Sequence, residues 1–287
     1  MNAETEGRAA AERFRQSHRW GWQPLGDLVA LIEQSAGVDV AVLDAEPDEH
    51  GLTMRDPERG AVFIGVARTR HPMRQRSTLA HELGHVLFED WAENAACDWS
   101  TPSPIESRAN AFARHLLLPL DGLRAHLTDT RAASLTMLSA VVQRFLVSPQ
   151  IAAIALEQAG YIDAVAKADW MTVTAPHLAV RFGWSDQYQA LQADADRRRA
   201  PQRLLARAIQ GYAEGVVSAQ TIATLRGITS DIAASELREA GIFPAQHPVS
   251  WVDPGDLPEA HVDLGALDNA LNAVDEPLGT ASEPQAG

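Results

Sequence analysis

The chain lacks the features that mark secreted and membrane-spanning proteins. Cys97 is the only cysteine among its 287 residues, which excludes a disulfide within the chain and gives no indication of an oxidising compartment. No apolar run approaches the roughly 18 residues that a transmembrane helix needs. Residues 1–8 are polar and lack the apolar core of a signal peptide. These absences predict a cytoplasmic protein without a membrane anchor.

Positive charge is also in short supply. The formal net charge is -14, which argues against a nonspecific nucleic-acid binder, because such proteins bind mainly by neutralising phosphates. More than half of the net negative charge comes from residues 244–287, which contain eight acidic residues and no Lys or Arg. Several prolines interrupt the same segment. This composition predicts an acidic, largely disordered tail.

The strongest functional signal in the sequence is the motif His81-Glu82-Leu83-Gly84-His85. Two imidazoles four residues apart lie on one face of a helix, and a carboxylate stands beside them. Neutral histidines can bind zinc from successive turns, whereas Glu82, rotated about 100° from His81, reaches a zinc-activated water instead. The motif therefore predicts a hydrolytic zinc site in which His81 and His85 are ligands and Glu82 is the general base.

Gly84 is unexpected inside a helix. Leu79, Ala80 and Leu83 give the motif a buried side, which places Gly84 in a helical context. Glycine in a helix interior costs about 1 kcal/mol relative to alanine. We therefore expect another backbone or a ligand to approach closely at this position.

A catalytic zinc site needs a third protein ligand, and the sequence offers two candidates. Glu89 follows His85 by one turn, but three ligands on one short helix would crowd a single side of a tetrahedral ion. Glu106 begins a second apolar helix and shares its inward face with Asn110. Geometry favours Glu106, because a buried carboxylate needs a partner and a metal supplies one. Asn110 is then placed to hydrogen bond the distal nitrogen of His81 or His85.

Two blocks of the sequence, 79–87 and 106–119, resemble the ImmA/IrrE-type metallopeptidases. The first block reads Leu-Ala-His-Glu-Leu-Gly-His-Val-Leu, and the second reads Glu-x-x-Ala-Asn-x-Phe-Ala-x-x-Leu-Leu-Leu-Pro. Both occur in the order that the family shows. One departure is Ser77, which stands where the family usually has an aromatic residue.

The resemblance implies a ligand set and a function. By matching position, His81, His85 and Glu106 would bind one zinc ion per chain, and Glu82 would be the general base. Members of this family are similar in role: they cleave a helix-turn-helix transcriptional repressor, often encoded beside them in mobile elements or stress-response loci, and so relieve repression. The resemblance therefore predicts a zinc endopeptidase with a protein partner of that kind.

A different class of function is a non-catalytic module for protein interaction or transcription regulation on the same fold, with zinc structural or absent. A purely structural zinc would have no use for Glu82, which favours catalysis.

The expected organisation is an α+β fold, with a zincin-like metallopeptidase core followed by an α-helical C-terminal region. The sequence predicts four segments: an N-terminal arm at 1–25, the metallopeptidase domain at 26–132, a helical domain with helix-turn-helix-like pairs at 133–243, and the acidic tail at 244–287.

A small sheet is predicted ahead of the motif helix. A helix at 27–36 precedes alternating valines at 38–42, and a turn-rich connection joins 51–55 to 61–66 as a hairpin. If the second hairpin strand is a sheet edge beside the cleft, an extended substrate peptide can add to it as a further strand.

The helical region carries a helix-turn-helix outline at 134–162, with Ser148-Pro149 at its turn. Its second helix contains Glu157 and no Lys or Arg, so direct DNA binding is not expected. The helices after residue 132 are instead candidates for recognising the partner protein.

Other polar residues are not assigned to the site by their spacing. His115 lies nine residues after Glu106, about half a rotation round the helix, and should point away from the metal. The sequence does not identify an oxyanion-stabilising group among four candidates: His71, Arg108, His126 and Tyr161.

Overall fold

The structure is a computed structural model that describes residues 2–45, 51–91, 103–127, 133–245, 253 and 264–266. The chain divides into two units, Met1–Ala245 and Gln246–Gly287. In the second unit only residue 253 and a helical turn at 264–266 are described. The predicted acidic tail therefore lies almost wholly outside the described residues, as does Cys97.

The first unit combines a small sheet with many helices, which confirms the predicted α+β class. The strands are β1 (Asp39–Leu43), β2 (Gly51–Arg55) and β3 (Val62–Ala67). The helices are α1 (Ala3–Ser17), α2 (Leu28–Ala36), α3 (Pro72–Phe88), α4 (Pro104–Leu117), α5 (Leu120–His126), α6 (Leu135–Phe145), α7 (Pro149–Gln158), α8 (Ala164–Trp170), α9 (Ala175–Phe182), α10 (Ser185–Ala195), α11 (Gln202–Ala213), α12 (Ala219–Arg226) and α13 (Ser230–Glu239).

The three strands are ordered β1-β3-β2. β3 runs parallel to β1 and antiparallel to β2, with Thr53 opposite Ile64. The second hairpin strand, β3, does not meet the condition of lying at an edge, because it is central, and β2 is an edge strand. The reason is visible in the residues: Ile64 and Val66 are buried, and a nearly continuous apolar run suits an interior strand. β2 is mostly exposed.

The N-terminal segment predicted as an arm contains α1, which is part of the core. Asn2 caps this helix by accepting a hydrogen bond from Thr5 N. Ala11 and Phe14 are buried, and Gly7 lies so close to α4 that an added Cβ would stand 2.5 Å from Arg108 O. The small residues of α1 therefore allow it to pack directly on the backbone of α4.

The predicted boundary between residues 132 and 133 does not coincide with a break in the core. One cluster of buried apolar side chains runs from Ala10 to Tyr188, with Phe112, Leu138 and Phe145 among its members. The helices α6 to α10 thus share a hydrophobic core with the sheet and with α3 and α4. The helices α11 to α13 pack around a smaller cluster of their own, which includes Ile222 and Leu237.

The predicted helix-turn-helix outline corresponds to α6 and α7. Ser148 caps α7 by accepting a hydrogen bond from Ile151 N, and Pro149 is its first residue. Among the described residues no single helix has the length and apolarity to cross a bilayer, although α6 and α7 taken together, with a bend of 110°, pass the same test on length and composition.

Candidate metal centre

Two helices, α3 and α4, carry the predicted ligands and approach each other closely. Gly84 of α3 faces Ala109 and Phe112 of α4: an added Cβ would lie 3.2 Å from Phe112 Cδ1 and 3.3 Å from Ala109 Cα. The backbone approach expected at Gly84 is therefore that of α4. Ser103 caps α4, which places Glu106 in its first turn, beside the histidines of α3.

Three side chains converge at this junction. His81 Nε2 lies 3.1 Å from Glu106 Oε2, and His85 Nε2 lies 3.4 Å from Glu106 Oε1. The two Nε2 atoms are 2.9 Å apart. One ligand atom from each residue lies within 4.8 Å of the others, a spacing compatible with a single metal ion.

The outer nitrogens of both histidines face hydrogen-bond acceptors. His81 Nδ1 is 3.1 Å from Asn110 Oδ1, the position anticipated for Asn110. His85 Nδ1 is 3.3 Å from Asp90 Oδ2. An imidazole that donates from Nδ1 carries its lone pair on Nε2. Both Nε2 atoms therefore present lone pairs to the same space.

The arrangement of these groups suits a cation. Two nitrogen lone pairs 2.9 Å apart, with a carboxylate beside them, repel one another, and a bound cation or a proton shared between the rings relieves that repulsion. Burial, together with the neighbouring His85, lowers the pKa of His81, which favours the neutral form that metal binding needs. Two imidazoles and one carboxylate form a donor set that suits zinc and leaves one position open in a tetrahedral site.

Glu82 stands beside the ligands without joining them. It is buried, with 8% exposure, and its Oε2 atom accepts a hydrogen bond of 2.7 Å from Thr53 Oγ1. Gly51 covers the other oxygen: an added Cβ there would lie 2.7 Å from Glu82 Oε1 and 2.5 Å from Thr78 Cγ2. The edge strand β2 therefore positions Glu82 in two ways. The Thr53 hydroxyl donates a hydrogen bond to its carboxylate, and Gly51, which has no side chain, leaves room for it.

The two candidates for the third ligand have different positions. Glu106 belongs to the cluster, whereas Glu89 is not among the clustered side chains of the described residues. Glu89 terminates α3 in the left-handed conformation, with φ of 55°. This turn allows Asp90 N to donate to His85 O at 3.0 Å and brings the Asp90 carboxylate back to the His85 ring. Sequence reasoning missed Asp90, although it follows His85 by little more than one turn.

Arg108 lies behind the metal ligands and not in the cleft. Its Nη2 atom donates to Asp90 Oδ1 at 2.6 Å and its Nη1 atom donates to Glu6 Oε1 at 2.9 Å. The guanidinium also lies 4.0 Å from the centre of the Phe88 ring. These contacts commit Arg108 to the protein interior and make it unsuitable as an oxyanion stabiliser.

The other weighed residues also lie away from the site. His115 Nε2 is 2.9 Å from Glu4 Oε1 on α1, in agreement with the expectation that it points away from the metal. Within the described residues, His71, His126 and Tyr161 do not line the cleft that contains the ligands. The Tyr161 hydroxyl instead donates to Leu127 O at 3.4 Å.

The cleft at the metal centre has a volume of about 720 Å³. Its walls include His81, Glu82 and Glu106 from the helices and Gly51 from the edge strand. Ser77 also lines it. The position at which the chain departs from the family pattern is therefore on the surface that a substrate would meet.

Comparison with known proteins identifies a family for this region. Residues 33–157 match a family model described as Peptidase_M78: IrrE N-terminal-like domain. The matched segment contains both sequence blocks, so the resemblance stated from the residues is confirmed over this range. A search of curated proteins finds no match.

Proposed function

Because residues 33–157 match the IrrE N-terminal-like domain model of the Peptidase_M78 family, we propose that the protein is a zinc-dependent endopeptidase. The observation that carries the proposal is the convergence of His81, His85 and Glu106 on one ion-sized space, with the buried carboxylate of Glu82 beside it.

One zinc ion per chain would be held by the two Nε2 atoms and the Glu106 carboxylate. When bound, zinc would supply the Lewis acid that makes water nucleophilic near neutral pH. Asn110 and Asp90 would orient the two imidazoles by accepting from their Nδ1 atoms.

Glu82 is placed to move the proton. Its Oε2 atom accepts a hydrogen bond from Thr53 and its Oε1 atom lies against Gly51, and these contacts fix the carboxylate that would accept a proton from the attacking water. As the water oxygen bonds to the scissile carbonyl carbon, its proton passes to Glu82. The same proton is delivered to the amine nitrogen when the C–N bond breaks, which yields one new carboxyl group and one new amine.

The edge strand provides a way to bind an extended polypeptide. In the part of the chain that the structure describes, β2 pairs with β3 on one side only, and its Leu52 and Met54 side chains are exposed. An extended peptide could add to the free edge through main-chain hydrogen bonds. Because Thr53 of this strand contacts Glu82, the added segment would pass the general base. The proposed substrate is therefore an extended or locally unfolded protein segment.

Gly51→Ala should reduce kcat by about a hundredfold, because displacing a catalytic group by about 1 Å has costs of that order. The added methyl group would collide with both Thr78 and the Glu82 carboxylate. Bound zinc should stay at the wild-type level, since Gly51 contacts none of the ligands. Steady-state kinetics with zinc quantification on the same samples provide the measurement.

Gly26→Ala is the matched control for this variant. An added Cβ at Gly26 meets no atom within 4 Å, so kcat should be unchanged. Equal kcat for Gly51→Ala and wild type would show that the contact between β2 and Glu82 has no part in catalysis.

The proposed substrate protein is a helix-turn-helix transcriptional repressor in the cytoplasm, and its cleavage would relieve repression in a stress response. Support comes from the family resemblance, and the helices after residue 132 offer surface for recognising the partner. The test is to incubate the zinc-loaded protein with the repressor-like protein encoded by a neighbouring gene and to analyse the products by mass spectrometry.

The expected product pattern is a single cut in the repressor. If the repressor stays intact while an unfolded polypeptide is cleaved, the peptidase assignment holds and the repressor assignment is wrong. If neither is cleaved by zinc-loaded protein, the result favours the non-catalytic interaction module instead.

A further inference from the structure

A chain of charged contacts connects the N-terminal helix with a metal ligand. Glu6 of α1 accepts from Arg108 of α4 at 2.9 Å, and Arg108 donates to Asp90 at 2.6 Å. The second oxygen of Asp90 is 3.3 Å from His85 Nδ1. Four residues from α1, α4 and the C-terminal end of α3 are thus linked, in the order Glu6, Arg108, Asp90, His85.

The interior members of this chain have little freedom to move. The side chains of Asp90 and Arg108 are 10% and 20% exposed, and Phe88 lies against the guanidinium. The left-handed turn at Glu89 fixes the Asp90 backbone. At the other end, the close approach of Gly7 to α4 holds α1 at the distance that the contact between Glu6 and Arg108 requires.

The two carboxylate oxygens of Asp90 have different partners. Oδ1 is held by Arg108, which leaves Oδ2 directed at the His85 ring. A carboxylate in this position fixes the tautomer and the orientation of a ligand imidazole and raises its basicity. Without Arg108, the nearly buried Asp90 carboxylate would lose its main partner and its orientation.

We propose that Asp90, Arg108 and Glu6 are positioning residues for His85, so that the N-terminal helix is a working part of the metal centre. The inference rests on the proposed zinc site and deepens it. It assigns a role to Glu6, which lies outside the segment matched by the family model. None of the three residues touches the substrate; each acts through His85.

The test is the zinc dissociation constant of the metal-free full chain, measured by competition with a chromophoric chelator. Asp90→Asn should weaken zinc binding by about 10- to 100-fold, as is usual when a partner of a ligand histidine is lost. Arg108→Gln should weaken it by about tenfold, because Asp90 remains but is no longer held. Glu6→Gln should weaken it by about two- to fivefold, since a half-exposed ion pair couples weakly.

Two matched variants on α1 separate positioning from docking of the helix. Glu4→Gln removes a carboxylate that contacts Arg114, His115 and Gln158, so it weakens the docking of α1 without touching the chain to His85. Glu12→Gln removes an exposed carboxylate that pairs with Arg8 on the same helix. Both should bind zinc with the wild-type dissociation constant.

A double-mutant cycle gives the sharpest outcome. In the Asp90→Asn background, Glu6→Gln should have no further effect on zinc binding, because residues that act through one contact are not additive. Thermal unfolding of each metal-free variant establishes that the protein titrated is folded. Equal zinc affinity for wild type and Glu6→Gln, or an equal loss in Glu4→Gln, would overturn the proposal.

This experiment distinguishes failure of the inference from failure of the proposed function. Zinc binding by wild type with no difference among the variants would overturn the positioning chain alone. Absence of zinc binding by wild type would overturn the metal centre on which both depend. Because the experiment measures zinc affinity, it tests the series of contacts from Glu6 to His85 even if the wild-type protein binds zinc without cleaving a substrate.

Discussion

Glu82→Gln should reduce kcat for peptide hydrolysis by about 10²- to 10⁴-fold, the usual contribution of a general base. Glutamine preserves the volume of the side chain and can still accept the hydrogen bond from Thr53, but it cannot take a proton from water. Bound zinc should be unchanged, because Glu82 is not among the three clustered ligands. Kinetics and metal analysis on the same preparation provide the measurement.

Glu89→Gln is the control for this change, since it makes the same substitution at the end of the same helix, away from the clustered ligands. Its kcat should match that of wild type. If Glu82→Gln retained full hydrolytic activity, another group would have to be the base. If it lost hydrolysis but kept the biological output of the protein, the interaction module would be the better account.

Glu106, the proposed third ligand, should contribute strongly to zinc binding. Glu106→Ala should weaken zinc binding by more than about a hundredfold, since loss of a partner outside the ligand set already costs 10- to 100-fold. Glu89→Ala should leave zinc binding intact, because the Glu89 carboxylate lies outside the ligand cluster of the described residues. Chelator competition with the metal-free proteins measures both.

The comparison decides between the two glutamates that the sequence offers. A loss of zinc in Glu89→Ala, with normal binding in Glu106→Ala, would reverse the assignment. Thermal unfolding of the metal-free forms shows whether either variant changes the fold. Glu106 is half-exposed, so its removal should cost the metal-free protein little stability.

The sequence predicted those parts of the site that depend on local spacing. His81, Glu82 and His85 are placed by helical periodicity alone, and Gly84 correctly indicated that another helix backbone lies close. The second amphipathic helix correctly brought Glu106 to the histidines, but the expectation that its carboxylate is buried is wrong, because the side chain is half-exposed. These inferences need only the geometry of a helix and the chemistry of a zinc site.

The parts that the sequence did not predict depend on tertiary contacts. Asp90 reaches His85 only because Glu89 turns the chain in the left-handed conformation, which glycine favours and glutamate does not. Gly51 and Thr53 contact Glu82 because the order of strands places β2 against α3, and the order of strands is not local information. The docking of α1 depends on small residues that allow close approach to α4. Composition does not reveal such packing, and the segment was therefore predicted to be an N-terminal arm.

Removal of the metal tests whether cleavage depends on zinc. Purified protein would be stripped with a chelator, reloaded with increasing zinc, and incubated at each step with the repressor-like protein and with an unfolded polypeptide. We expect no cleavage by the metal-free chain and full recovery at one zinc per chain, with Glu82→Gln inactive throughout. Cleavage that persists at the same rate without metal, or in Glu82→Gln, would contradict it.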